Sequence, residues 1–554
     1  MKRLGFIFMV LCCVLSPFDL RADSTPNVPI DDPVYRDIDK LVAAGLVEDA
    51  IYGQRPWSRG EIARLITEAM KKEEVGGPIA PDYGEIGLQI YTDGILERLK
   101  KDYREELVDR GSLEGEKRSV RIHPLEQVQM DETFLDSPSR AVPANNGLGM
   151  VDAQINPLVA YREGRHYVDG NTLGLETTHS AKISPYFSLY ARPRFEMLTP
   201  NTVNTDVRPL IQNAYGKFAF HNLEFEVGRD SLVWGQGEHG GLILSDNARP
   251  LDMIKVGNQS PFILPWIFKH LGPNSFQMFF ADMGPEREFP YAILSGYKWS
   301  LKPTHFLELG FNHTLLMGGD GAPSIKWFDP ISEFFFVRRG GLRGTGAQVA
   351  DHRLGFDWRL RIPPFRNAEW YFETLWDDIG RETFIVNITQ QMAFVSGLYF
   401  PRLADDGSTD LRIQYSHLPP LLYHHGTWNS GYSLNQHLLG DESGPDSDVF
   451  QLKIVHNLGE QYRLGFESGY ANRDSDIYTQ TTSSQGGPDR VVKVTDNTTE
   501  HRFHFLASLD WMIRPRLLLQ PAFAYERVFN FDFIPGSGRN NFLGRIELTW
   551  HPYF

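Results

Sequence analysis

From Leu148 onward, apolar and polar residues alternate one for one through most of the chain. Leu411, Ile413 and Tyr415 alternate with Arg412, Gln414 and Ser416, and Tyr462, Leu464, Phe466 and Tyr470 with Arg463, Gly465, Glu467 and Gly469. Phe503, Phe505, Ala507, Leu509 and Trp511 stand against Arg502, His504, Ser508 and Asp510, and Phe523, Tyr525 and Phe529 against Glu526 and Asn530. Successive side chains of a strand point to opposite faces, so each segment predicts a strand with one greasy and one polar side. A soluble sandwich shares that pattern. Segments of about ten residues with aromatics gathered near their ends instead fit tilted strands crossing a membrane between two aromatic girdles. In the last strand Phe542, Gly544, Ile546, Leu548, Trp550, Pro552 and Phe554 share one face, opposite Arg545, Glu547, Thr549 and His551. Ending on an aromatic resembles the signal that outer-membrane barrels present to the barrel assembly machinery, so that machinery and outer-membrane lipid are expected partners. Roughly 400 residues at about 22 per strand and connection allow 16 to 18 antiparallel strands.

Ahead of the strands the period is helical. Tyr35, Ile38, Leu41 and Val42 predict one helix, with Gly45 as its stop. A second is expected to open on the capping box Ser58 and Glu61, ahead of Ile62, Leu65, Ile66 and Ala69. Lys71 to Tyr83 reads as a linker, and Ile95, Leu99, Tyr103 and Leu107 mark a third helix ending near Arg110. Lys2, Arg3, the apolar run Gly5 to Leu15 and the small residue Ala22 predict a signal peptide. The expected organisation is a signal peptide over 1–22, a periplasmic helical unit over 23–110, a connecting segment over 111–145, and a transmembrane barrel over 146–554.

Composition narrows the function. Cys12 and Cys13 both lie within the predicted signal peptide, so the mature chain is expected to have no disulfide and no cysteine metal site. The net charge of −15, without a basic run, argues against a nucleic-acid partner.

The most distinctive stretch runs from Gly228 to Pro250. Gly235, Gly237 and Gly240 reproduce the spacing of a dinucleotide fingerprint, but Leu242-Ile243-Leu244-Ser245 and then Pro250 follow, with no helix and no βαβ unit. Taken with Gly228-Arg229, Trp234-Gly235-Gln236-Gly237 and Leu244-Ser245-Asp246-Asn247-Ala248, this stretch resembles the capsule assembly Wzi family of bacterial outer-membrane proteins. A second match is Tyr423-His424-His425-Gly426-Thr427-Trp428-Asn429-Ser430-Gly431-Tyr432, followed by Leu439-Gly440 and Gly444-Pro445-Asp446-Ser447. The N-terminal string from Tyr35 to Ala63, with Arg55-Pro56-Trp57-Ser58-Arg59 at its centre, is similar to the start of that family and, more loosely, to an S-layer homology module. The Wzi resemblance implies a mainly β fold, a barrel of about 18 strands, and binding of capsular or extracellular polysaccharide at the cell surface.

Aromatic faces and planar polar groups suit saccharides. Arg229, Trp234, Gln236, Glu238, His239, Asn247, His425 and Trp428, chosen from the two matching stretches, are the candidate binding residues. Arg229, Arg338 or Arg339 could hold a carboxylate of an acidic glycan. Proline- and aromatic-bearing insertions at Leu251 to Gly272, Gly318 to Ala350 and Leu418 to Asp448 are candidates to plug the lumen. No spacing defines a catalytic or metal centre, and the acidic loop from Asp441 to Asp448 reads as solvated turns before a calcium site. The expected protein is a monomeric lectin-like anchor with no cofactor and no catalytic residues. The competing classes are a diffusion porin or transporter, with an open lumen, and a cell-wall tether acting through the helical unit.

Overall fold

The computed structural model describes residues 23–74, 86–143, 146–202, 204–323, 325, 333, 350–377, 390–481 and 490–552. Eighteen antiparallel strands, from Arg121–Asp136 to Gly538–Trp550, form a closed barrel. Each strand pairs with its neighbours in sequence. The ring closes where the first strand meets the last, from Val128 opposite Trp550 to Asp136 opposite Phe542. Closure leaves no strand edge unpaired, which is what allows strands to cross a lipid layer.

Alternation decides which residues face lipid. On the last strand Phe542, Ile546 and Trp550 point outward while Asn541, Leu543, Glu547 and Thr549 are buried inside. The interior is charged, and its charges are matched: Arg194 donates to both oxygens of Asp131 at 2.7 and 3.0 Å, and Lys298 reaches Asp357 at 2.5 Å. Such pairing is needed where groups leave water.

Short turns such as 185–186, 305–306 and 515–516 lie at one end of the barrel, and long connections at the other. The helical unit packs against the short-turn end. Helix α1 (Val34–Ala43) stops at Gly45, whose φ of 78° a side chain would resist. Helix α2 (Arg59–Glu74) is capped by Ser58, whose hydroxyl accepts from the Glu61 amide at 3.1 Å. The Glu61 carboxylate turns to Arg64 instead of completing the box. The expected third helix is two, α3 (Ile86–Asp102) and α4 (Arg104–Arg110), because the chain leaves helical geometry at Tyr103. Val34, Ile38, Leu41, Ile62, Leu65, Leu99 and Leu107 form the unit's core. Contacts to the barrel are polar: the Lys40 ammonium donates to Pro401 O and Gly407 O at 2.8 and 2.9 Å and pairs with Asp410.

Three boundaries differ from the sequence reading, the first being that α2 runs on to Glu74, into the stretch expected as a linker from Lys71. The segment 111–145 contains the first barrel strand, Arg121–Asp136. Met130 and Phe134 face out, opposite Gln129, Asp131, Thr133 and Leu135, but Glu132 interrupts the outer face and a register shift lies between His123 and Gln127. The region after Leu148 that looked like the start of the strands lies inside the barrel, where Val151, Ala153 and Ile155 join the core of a plug. The insertion from Leu251 is also partly wall: Leu251–Asn258 is a barrel strand, and the following turn, with exposed Trp266 and Ile267, lies at the short-turn end and plugs nothing. The predicted signal peptide, Cys12, Cys13, Trp327, Phe328, Arg338, Arg339 and Phe554 fall outside the described residues.

Candidate functional site

The glycine-rich turn is built around one wall residue. Glu373 points inward from the strand Ala368–Asp377, and its carboxylate accepts the backbone amides of Gln236, Gly237 and Leu242, the last two at 3.2 Å. Three amides converge on one acceptor only if the chain wraps it closely. A Cβ on Gly235 would stand 2.5 Å from Glu373 Oε1, and Gly235 already sits at φ 140°. The turn is thus an anchor and has no nucleotide cradle. Its flanks are tied to the wall and to the helical unit. Trp234 packs edge-on to Phe279 at 5.3 Å and donates through Nε1 to Gln277 at 3.2 Å. Gln236 donates to Glu308 and Asp357 at 3.0 and 2.7 Å. Val233–Trp234 pairs with Gln54–Arg55, and the Arg55 guanidinium donates to Gly237 O and Glu238 O at 2.6 and 2.7 Å.

The second matching stretch locks onto the first. Ser245 Oγ donates to Gly440 O at 2.6 Å, Asn247 Nδ2 to Leu438 O at 3.0 Å, and Tyr423 OH to Leu242 O at 2.6 Å. Trp428 donates to Gly318 O at 3.1 Å and meets Phe289 edge-on. His425 Nδ1 accepts the Thr427 and Trp428 amides at 2.9 and 3.1 Å, so its proton lies on Nε2. Burial pushes His424 down to about 4 and keeps its ring neutral. The acidic loop, expected as solvated turns, is instead buried at Asp441, Glu442 and Ser443: Asp441 accepts the Ser443 amide at 2.9 Å, and Tyr478, from the strand Ile477–Thr481, donates to both oxygens of Asp446 at 2.9 Å. Among the described residues no group of three or more His, Cys, Asp or Glu side chains is arranged to hold a metal ion.

The eight candidate residues separate into three places. Arg229 is on the outer wall: it follows Phe225 and Val227 on the lipid-facing side of Leu223–Asp230 and forms a two-pronged pair with Asp252 at 2.7 and 2.8 Å. Trp234, Gln236, Asn247, His425 and Trp428 are plug interior, the two indoles 0% and 1% exposed. Glu238 and His239, with the buried Gln236 at their edge, line a cavity of about 1700 Å³ that opens beside the helical unit and ends at the underside of the plug. Burial opposes ionisation of Glu238, but Lys453 and then Arg412 hold its carboxyl well below the usual range. His239 stacks on Tyr161 at 4.6 Å and pairs with Asp246 at 3.2 Å. Sequence reasoning missed Glu373, Arg55, Tyr161 and Lys453, each of which organises this region from a different segment. Two of them carried a signal: Arg55 stands in the N-terminal string that resembles the family, and Glu373 shares its inward parity with Glu369 and Asp377 on a strand whose other face is aromatic.

Comparison with known proteins fits this architecture. The capsule assembly protein Wzi family matches residues 143–543, well over half of the chain. A Klebsiella pneumoniae protein, known as an uncharacterized 55.8 kDa protein in the cps region, is 24% identical over 306 residues, 50% of this chain and 57% of its own length. The match thus spans just over half of that relative. A solved structure described as Wzi, an outer membrane protein involved in group 1 capsule assembly in Escherichia coli and a carbohydrate binding beta-barrel, superposes with a TM-score of 0.64. It covers 96% of this chain and 100% of that one at 16% identity, a likeness of fold. The chain therefore belongs to the capsule assembly Wzi family of outer-membrane β-barrels.

Proposed function

We propose that this protein binds capsular or extracellular polysaccharide at the cell surface and anchors it there, as a lectin-like protein and not as a catalyst. The observation that carries the reading is the plug. A barrel of 18 strands is wide enough for an aqueous channel. Here two interlocked loop segments occupy the lumen, with Trp234 and Trp428 buried in their packing. That favours a surface binder over the diffusion porin. Membership of a capsule-assembly family and a carbohydrate-binding relative of the same fold support polysaccharide as the partner. Bacterial barrels keep short turns in the periplasm and long loops outside. The helical unit would then cork the periplasmic end, its contacts spent on the barrel and not on a wall polymer, and the plug would face the exterior. The reading takes the protein as a monomer, since the barrel needs no strand from a second chain to close.

The plug's outer face carries the groups that sugars need. Gln154 and Gln436 are exposed and joined by a 3.0 Å hydrogen bond, and Asn429 donates from its backbone and side chain to Glu288 at 2.8 Å each. Planar amides and carboxylates bond paired hydroxyls. The test is binding of the purified, detergent-folded protein to polysaccharide released from the producing cells, beside the double variant Gln154→Ala and Gln436→Ala. Saturable binding weakened about tenfold by the variant, with unheated gel mobility unchanged, supports the reading. Steady ion conductance in planar bilayers, with no polysaccharide binding, would hand the function to the porin class.

A further inference from the structure

We infer that the cavity below the plug is a second saccharide site, in which a polyhydroxylated glycan stretch without net charge enters beside the helical unit and lies against His239. This rests on the polysaccharide reading above but concerns the opposite side of the plug. Access comes first: Lys101, Arg104, Arg118 and Arg516 line the cavity and are exposed, so its mouth is open to solvent. At about 1700 Å³ it exceeds the roughly 300–1,000 Å³ of a pocket for one small ligand, and it has room for several sugar rings.

The floor has the form of a sugar platform. One face of the His239 imidazole is backed by Tyr161, with ring planes 11° apart, yet its side chain remains 42% exposed, which leaves the other face to the cavity. Tyr161 holds its ring there at φ 56°, a conformation unfavourable for any residue with a side chain and one that persists where surroundings enforce it. Around the platform, cations and carboxylates alternate. Lys453 reaches Glu238 at 2.8 Å but Glu467 only at 3.9 Å, and Arg36 lies 3.7 Å from Glu238. Pairs at such spacing hold charge balance while leaving hydrogen-bonding capacity unspent. A hydroxyl is both donor and acceptor and fits between the two signs, whereas a polyanion would meet the carboxylates as often as the cations.

A cysteine probe tests this, because the only cysteines of the sequence, Cys12 and Cys13, lie in the predicted signal peptide, ahead of the described residues. Ser508 lies on the cavity wall. The processed, detergent-folded Ser508→Cys protein is labelled with a charged methanethiosulfonate reagent, with and without short oligosaccharides released from the producing cells' own polysaccharide. The same is done with His239→Ala added. The expected result is labelling slowed about tenfold by oligosaccharide, and protection lost with His239→Ala while unheated gel mobility is unchanged. Equal labelling rates in a protein that still binds whole polysaccharide through its outer face overturn the cavity site and leave the proposed function standing. Loss of both overturns both. Protection that survives His239→Ala overturns the platform assigned to that ring.

Discussion

A Cβ on Gly241 would stand 1.9 Å from Oε2 of Glu373, closer than any two unbonded heavy atoms can come. The wall carboxylate and the plug turn are therefore fitted to each other with no spare volume. The same carboxylate meets Gly235 from the other side, so the glycines of this signature are packing requirements. Gly241→Ala is expected to push the turn off Glu373 and cost about 1–3 kcal/mol, the usual range for overpacking. Gly426→Ala, with nothing within 4 Å of the added carbon, is the matched control. Limited proteolysis should cut the plug of the first variant and spare the second, both keeping the gel mobility of a folded barrel.

The indoles make a different prediction. Trp234 and Trp428 fill the plug between Phe279 and Phe289, so truncating either leaves a cavity and an unmet acceptor on Gln277 or Gly318. Trp234→Ala or Trp428→Ala should cost about 3–5 kcal/mol locally. Loss of polysaccharide binding by such variants would report plug collapse and not a lost sugar contact. Planar-bilayer recordings check this: the parent barrel should be silent, and the variants should open steady or flickering conductance.

At the other end, the Lys40 ammonium joins α1 to the turn after Phe400 through two carbonyls and Asp410, all buried. Lys40→Met strands the Asp410 carboxylate, and breaking a buried pair in this way costs about 3–5 kcal/mol. Adding Asp410→Asn should recover part of that cost, because the stranded charge is removed as well. Hydrogen exchange across Val34–Ala43 is the measurement, with the single variant fastest and the double intermediate.

Much of the fold could be read from the chain because the barrel repeats one rule. Each long alternating run, such as Phe542 to Trp550, is a strand whose apolar face meets lipid. The rule hid the first strand, where Glu132 stands among the outward positions. It also held an answer about Arg229 that its place beside the motif obscured: Phe225, Val227 and Arg229 share parity, so the guanidinium points with them to the outer face. Plug residues obey no period. Whether Trp234 is a binding surface or a packing anchor depends on Phe279 and Gln277, over forty residues away. His239 becomes a platform only through Tyr161, and Glu238 is flanked by Lys453 from a strand more than two hundred residues distant. Local sequence names such residues without saying which side of the plug they face.

The plug's acidic loop gives the last prediction, one of pH. Burial raises Glu442 from 4.5 to about 7, against Arg502, and with Asp441 adding to the rise. Burial likewise lifts Asp446 from 3.8 to about 7, against the bond from Tyr478. In both cases the packed loop holds the proton more tightly than the open loop does. The stabilisation is thus fully present below the ordinary carboxylate range, near 4, and is lost as pH rises through about 7. Packing of 441–446 should loosen between about pH 5 and pH 8, a trend opposite to that of carboxylates stabilised by salt bridges. Protease cleavage within this loop, followed at both pH values, should speed up at the higher one. Glu442→Gln with Asp446→Asn should flatten the difference, since neither replacement can ionise. Cleavage that instead slowed as pH rose in the parent protein would mean that Arg502 and Tyr478 hold these two groups ionised in the packed loop.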